Sequence, residues 1–187
     1  MRRFGIVLGC ALVMAACSAR QETVRPLPWE AVVPAAGPDL GRWIEVRKTS
    51  RTLTVYEGRA PVRTYPVVMG RDPFRAKLYE GDNRTPEGEY RIAAKFAHPR
   101  WLYFLLLDYP TEANRLLYRA AREEALLPAS RGRTPGIGGE VGIHGTESDL
   151  WNERGENWTR GCISLRNRDM EELYSLVDVG TRVVIEK

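Results

Sequence analysis

The sequence predicts a mainly β domain with two or so peripheral helices, preceded by a leader and an extended tether. Three observations carry that expectation. Apolar residues alternate at period two in Trp43-Ile44-Glu45-Val46 and in Leu53-Thr54-Val55-Tyr56. Short β-rich runs bounded by turn residues recur from there to the C-terminus. Two stretches carry a helical signature instead.

The leader comes first in the chain. Arg2 and Arg3 form a basic start, and Phe4 to Ala16 is an apolar run of thirteen residues. That run is short of the ~20 residues a bilayer span needs and suits a secretory signal. It closes on Met14-Ala15-Ala16-Cys17, which resembles a bacterial lipobox, so residues 1–16 read as a lipoprotein signal peptide with Cys17 as the lipidated residue. Ser18 is not an aspartate of the kind that favours inner-membrane retention, and the reading is a periplasm-facing lipoprotein of the outer membrane. Residues 17–41 carry Pro26, Pro28, Pro34 and Pro38 among alanines and read as a tether.

The domain then spans 42–187. Residues 43–46 and 53–56 form a hairpin across Lys48-Thr49-Ser50-Arg51. Val62 to Met69 continues as a strand whose Pro66 places it near an edge or bulge. Gly70 to Arg84 is a polar loop, and Tyr90–Ala93 and Tyr103–Leu107 are further strands. Thr111 to Leu127 is helical, with Leu116, Leu117, Ala120, Ala121 and Leu127 on one face. Val141-Gly142-Ile143 is a short strand that delivers His144. Asn167 caps a helix from Arg168 to about Val177, and Thr181–Ile185 is the closing strand.

The chemistry concentrates in two runs, Ile143-His144-Gly145-Thr146 and Trp158-Thr159-Arg160-Gly161-Cys162-Ile163. A thiol becomes a nucleophile when a neighbouring base takes its proton or a positive field lowers its pKa. Histidine suits that task near neutral pH. A lone cysteine is more often a small buried hydrophobe, but here both residues sit beside glycines that let backbone approach a ligand closely. A turn at Gly161-Cys162 also aims consecutive N–H groups at one place, as an oxyanion hole requires. Cys10 leaves with the leader and Cys17 carries lipid, so Cys162 remains unpaired in an exported protein.

With His98, His144 and Cys162 as the available soft ligands, a zinc site is disfavoured, and no cofactor is expected. The charge balance is 28 Lys+Arg against 24 Asp+Glu with the signs interspersed, which excludes a nucleic-acid-binding signature.

Three separated segments resemble one family. Gly81-Asp82-Asn83-Arg84-Thr85-Pro86-Glu87-Gly88-Glu89-Tyr90, Ile143-His144-Gly145 and Thr159-Arg160-Gly161-Cys162-Ile163 with Asn167 are similar, in order, to the motifs of YkuD-type L,D-transpeptidase catalytic domains. The resemblance implies a β-sandwich or barrel-like fold and a monomeric enzyme acting on peptidoglycan stem peptides. It implies Cys162 as nucleophile and His144 as base, with Gly161 and Cys162 backbone N–H groups on the oxyanion. It further implies that the Arg160 backbone carbonyl orients His144, and that Gly145, Thr159, Arg166, Asn167 and Tyr103 contribute to substrate binding. Arg160 stands where the family usually has histidine, and Ser164 where it often has arginine.

Three readings compete with an amine-accepting transpeptidase. A hydrolase of the same family would release D-alanine or wall-linked protein through the same acyl-enzyme. A papain-like or NlpC-like peptidase places its cysteine before its histidine, the reverse of the order here. A peptidoglycan-binding lipoprotein without turnover needs no thiol near an imidazole.

Overall fold

The computed structural model describes residues 41–129 and 132–187. The leader, the lipobox with Cys17 and the tether up to residue 40 lie outside the described residues. The strands are β1 (Arg42–Arg47), β2 (Thr52–Glu57), β3 (Ala60–Pro66), β4 (Gly88–His98), β5 (Leu102–Leu107), β6 (Gly142–His144), β7 (Ile163–Ser164) and β8 (Arg182–Glu186). The helices are α1 (Glu112–Glu123), α2 (Asp149–Glu153) and α3 (Asn167–Leu176), so a third, short helix joins the two that the periodicity predicts.

The strands form one sheet in the order β3-β2-β1-β8-β4-β5-β6-β7. The β1–β2 hairpin pairs Ile44 with Val55 and Val46 with Leu53, and all four are fully buried. Period-two alternation sends this set to one face, which fixes the register because a one-residue slip would expose it. β3 is an edge strand, as Pro66 predicts, and the chain beyond it crosses over. Val68 forms a two-bond bridge to Ser164 on the opposite edge, and Gly70 bridges Thr159. The eight-stranded sheet therefore curls into a half-barrel whose two edges meet beside Cys162. β4 is long enough to pair with β8 through its first half and with β5 through its second.

The core lies on the sheet face covered by α3, where Met170 and Leu173 pack with Ile92, Leu105, Ile143 and Ile163. α1 departs from its predicted face. It ends at Glu123, Ala125 turns to φ +54, and Leu127 is buried beyond the helix. Leu116 is exposed, and the helix buries Asn114 and Ala121. Asn114 reaches back to accept from Thr111 N–H, which closes the first turn. The cap of α3 is Arg166 rather than Asn167, because the Asn167 amide is engaged elsewhere.

Candidate active site

β6 and β7 run parallel, pairing Ile143 with Ile163 and His144 with Ser164. Alternation sends Ile143 and Ile163 into the core and His144 and Ser164 to the other face. Cys162, two residues before Ser164, shares that side. The two residues that the sequence singles out therefore project from neighbouring segments onto one face, at the seam where the half-barrel closes.

His144 is almost fully buried, among aromatic rings. Trp101 stacks on its imidazole at 4.2 Å between centroids, Phe104 lies at 5.5 Å, and Trp158 meets it edge-on at 5.6 Å. His98 stacks on Trp101 at 4.4 Å, so the three rings of His98, Trp101 and His144 form a column. Nδ1 of His144 lies 2.6 Å from the carbonyl oxygen of Gly145. A carbonyl only accepts, so Nδ1 carries the proton and Nε2 keeps the lone pair. Burial drives the imidazole pKa down to about 4 against the pull of that carbonyl, and His98 pushes the same way as burial.

Cys162 is half-buried, with Sγ 3.6 Å from the carbonyl of Glu140. Desolvation pushes the thiol up to about 11, while the Gly142 N–H and the Lys77 charge act in the opposite direction. Burial thus favours the neutral thiol and the neutral imidazole over a thiolate–imidazolium ion pair.

The depressed histidine has a consequence for stability. Its folded pKa lies below the unfolded value of 6.5, so its contribution is complete above that pH and is lost as pH falls through the folded value. Stability is expected to drop by about 3 kcal/mol between pH 7 and pH 4 from this group. Urea midpoints across that range, compared with those of His144→Gln, check it. The variant should show a flatter acid limb by that amount.

The remaining predicted site residues each make contacts within the fold. Gly161 N–H donates to Thr159 Oγ1 at 3.1 Å, so it is not aimed at an oxyanion, and the expectation for Gly161 is corrected. Thr159 is buried and donates in turn to the Cys162 carbonyl at 2.6 Å, which makes it a staple of the loop. Gly161 holds φ +142, and a Cβ there would meet the Arg84 carbonyl at 2.6 Å. The Arg160 carbonyl is not the partner of His144 Nδ1; Gly145 takes that place because it follows the histidine directly.

Asn167 accepts from Thr146 N–H and donates to Thr146 O, which fixes the backbone after His144. Arg166 is paired with Asp169 at 2.7 Å. Tyr103 lies on the opposite face of β5 from Phe104 and stacks on Tyr174 of α3, so it belongs to the core side. Gly145 is hemmed in, since a Cβ would fall 2.4 Å from Asn167 Oδ1 and 2.5 Å from Trp101 O.

The structure adds residues that the sequence reading passed over. Trp101 forms one wall of His144, and Asn152 of α2 donates to Ser164 Oγ at 3.1 Å. Lys77 and Asp82 form a buried ion pair at 2.9 Å, and the Lys77 stem runs against Gly161. Among the described residues no cluster of three or more His, Cys, Asp or Glu side chains is arranged to hold a metal. A cavity of about 270 Å³ between β4, β8 and α1 shares no lining residue with this site.

Comparison with known proteins points the same way. The model of the YkuD family, the L,D-transpeptidase catalytic domain, matches residues 41–185. A probable L,D-transpeptidase of Escherichia coli, YcfS, is 30% identical over 176 residues, which is 89% of this chain and 49% of the relative. A putative L,D-transpeptidase of Bacillus licheniformis, YkuD, is 30% identical over 145 residues, 76% of this chain and 64% of the relative. The chain thus spans about half to two-thirds of the length of these relatives.

Among solved structures, the helical cell shape determining protein Pgp2 of Campylobacter jejuni superimposes with a TM-score of 0.57 at 25% identity, over 79% of this chain and 48% of that one. An L,D-transpeptidase of Stackebrandtia nassauensis shares the fold with a TM-score of 0.53 at 16% identity, over 81% of this chain and 58% of that one.

Proposed function

Because this chain belongs to the YkuD family of L,D-transpeptidase catalytic domains, we propose that it transfers peptidoglycan stem peptides through an acyl-enzyme on Cys162, with His144 as the base. The observation that carries this reading is the hydrogen bond from His144 Nδ1 to the Gly145 carbonyl. It leaves the Nε2 lone pair on an imidazole that shares one sheet face with Cys162, and burial keeps that imidazole neutral.

Cys162 Sγ attacks the carbonyl of the diaminopimelate–D-Ala bond in a tetrapeptide donor while Nε2 takes the thiol proton. The C–N bond then breaks, the proton passes to the departing D-Ala amine, and a thioester remains. The oxyanion role falls to the Cys162 backbone N–H in this reading, because Gly161 N–H is held by Thr159. An amine of a second stem attacks the thioester, giving a cross-link and returning the thiol; water in that place gives a carboxypeptidase. Such a substrate places the protein in the cell envelope, with Cys17 as its lipid anchor.

The test is incubation of the purified protein with disaccharide-tetrapeptide and analysis of products by mass spectrometry. Dimers joined through two diaminopimelates, absent with Cys162→Ala, are the expected result. Free tripeptide without dimers assigns water as the acceptor. An unchanged donor despite an alkylatable Cys162 overturns the assignment of the tetrapeptide.

A further inference from the structure

The position two residues after Cys162 is occupied by a fully buried serine. We infer that Ser164 is a positioning residue for His144, acting as second donor to the Gly145 carbonyl that orients the imidazole and held to that task by Asn152. The inference rests on the reading of His144 as the base.

The chain of bonds has a forced direction. Trp158 Nε1 can only donate, and it donates to Asn152 Oδ1 at 3.3 Å. The Asn152 amide therefore presents Nδ2 to Ser164, and donates to its Oγ at 3.1 Å. With its oxygen already accepting, the Ser164 hydroxyl donates onward to Gly145 O at 3.0 Å. The same oxygen accepts from His144 Nδ1 at 2.6 Å. Each polar group in this buried string finds a partner, as burial demands.

The geometry does two things. It gives the Gly145 carbonyl oxygen a second anchor besides the imidazole, which resists movement of the acceptor with the ring. It also shares the oxygen between two donors, which limits how strongly that oxygen can stabilise a positive imidazolium. Ser164 thus favours the neutral ring that a base must be. α2 gains a purpose from the same bonds, because it carries Asn152 to Ser164 and ends near Trp158, which closes over His144.

The test compares Ser164→Ala and Ser164→Cys with the wild-type protein. The first readout is the His144 titration, followed by NMR of the folded protein. The second is kcat and KM on the stem-peptide donor. In Ser164→Ala the freed carbonyl accepts more strongly from Nδ1–H, so the His144 titration moves to higher pH. The loosened ring then lowers kcat by about tenfold with KM unchanged. Ser164→Cys keeps a weak donor at nearly the same volume and lands between the two.

The other titratable groups around the ring are Cys162 on the same face, His98 beyond Trp101 and Glu147 at the Trp101 edge. All three stay in place in both variants. A His144 titration that does not move in either folded variant overturns the inference. If only the cysteine variant folds, its titration decides in the same way. Because the titration needs no stem peptide, an inert donor mixture would sink the proposed substrate while leaving this inference standing or falling by itself.

Discussion

His144→Gln is expected to lower turnover by about 10³ at pH 7 and to lose progressively less as the pH rises toward 10. The reason lies in the resting protonation states. Burial holds the thiol up to about 11 and the imidazole down to about 4. An enzyme whose cysteine already rests as a thiolate can lose its histidine and keep a charged nucleophile. In the proposed mechanism the thiol keeps its proton until the moment of attack, so something must remove it in the same step. His144 Nε2 is the proposed acceptor at neutral pH. In the variant only solvent hydroxide can, and its concentration climbs tenfold with each pH unit.

Two measurements check this. Profiles of kcat/KM against pH for both proteins should converge on the alkaline side. The rate of Cys162 alkylation by iodoacetamide should rise steadily from pH 6 to pH 10 in the variant. A variant deficit that is the same at every pH, or an alkylation rate flat across that range, would show that the thiolate exists without the base. On the acid side the wild-type enzyme should keep its activity well below the pH at which an ordinary histidine protonates, because the neutral imidazole persists to about pH 4.

The parts of the site that local sequence controls were legible, and the parts that depend on chain crossings were not. Period-two alternation was enough to place Ile44, Val46, Leu53 and Val55 in the core of a hairpin, because strand geometry converts it directly into facing. The glycine-flanked pair at 144 and 162 stood out for a similar reason. Residue types set its chemistry, and two short parallel strands set its placement. Tyr103 and Trp101 show the limit. They are two residues apart, so simple alternation gives them one face. Leu102 at φ +62 breaks the parity between them, and Trp101 covers His144 while Tyr103 goes to the core side.

The oxyanion expectation at Gly161 failed at the level of a single hydrogen bond. Its N–H is claimed by a threonine hydroxyl two residues back, and nothing in a turn motif says which N–H groups local side chains will take. Asn152 and Ser164 carry no periodic signal. Their meaning comes from a chain of bonds that exists only after the 145–164 segment has folded over the seam.

The motif at Gly81–Tyr90 illustrates how a sequence can flag a segment without revealing its task, and it yields the largest stability effect. Asp82→Ala is expected to cost about 3–5 kcal/mol. The carboxylate is fully buried and meets four donors. Oδ1 takes Lys77 Nζ at 2.9 Å and Arg84 N–H at 3.1 Å, while Oδ2 takes Leu78 N–H at 2.6 Å and Tyr79 N–H at 3.1 Å. Truncation leaves the Lys77 ammonium buried without its counter-charge and three backbone N–H groups without an acceptor.

Asp82→Asn sharpens the prediction. It conserves shape, yet whichever way the amide turns, its NH₂ faces two of those donors. It should therefore lose nearly as much as alanine. Denaturant unfolding of both variants measures this, and an asparagine cost under about 1 kcal/mol would show that shape rather than charge holds the loop. The loss should reach the nucleophile too. The Arg84 carbonyl and the Lys77 stem lie directly against Gly161, so a loosened loop releases the turn that presents Cys162. Both variants should turn over less substrate even at temperatures where they remain folded.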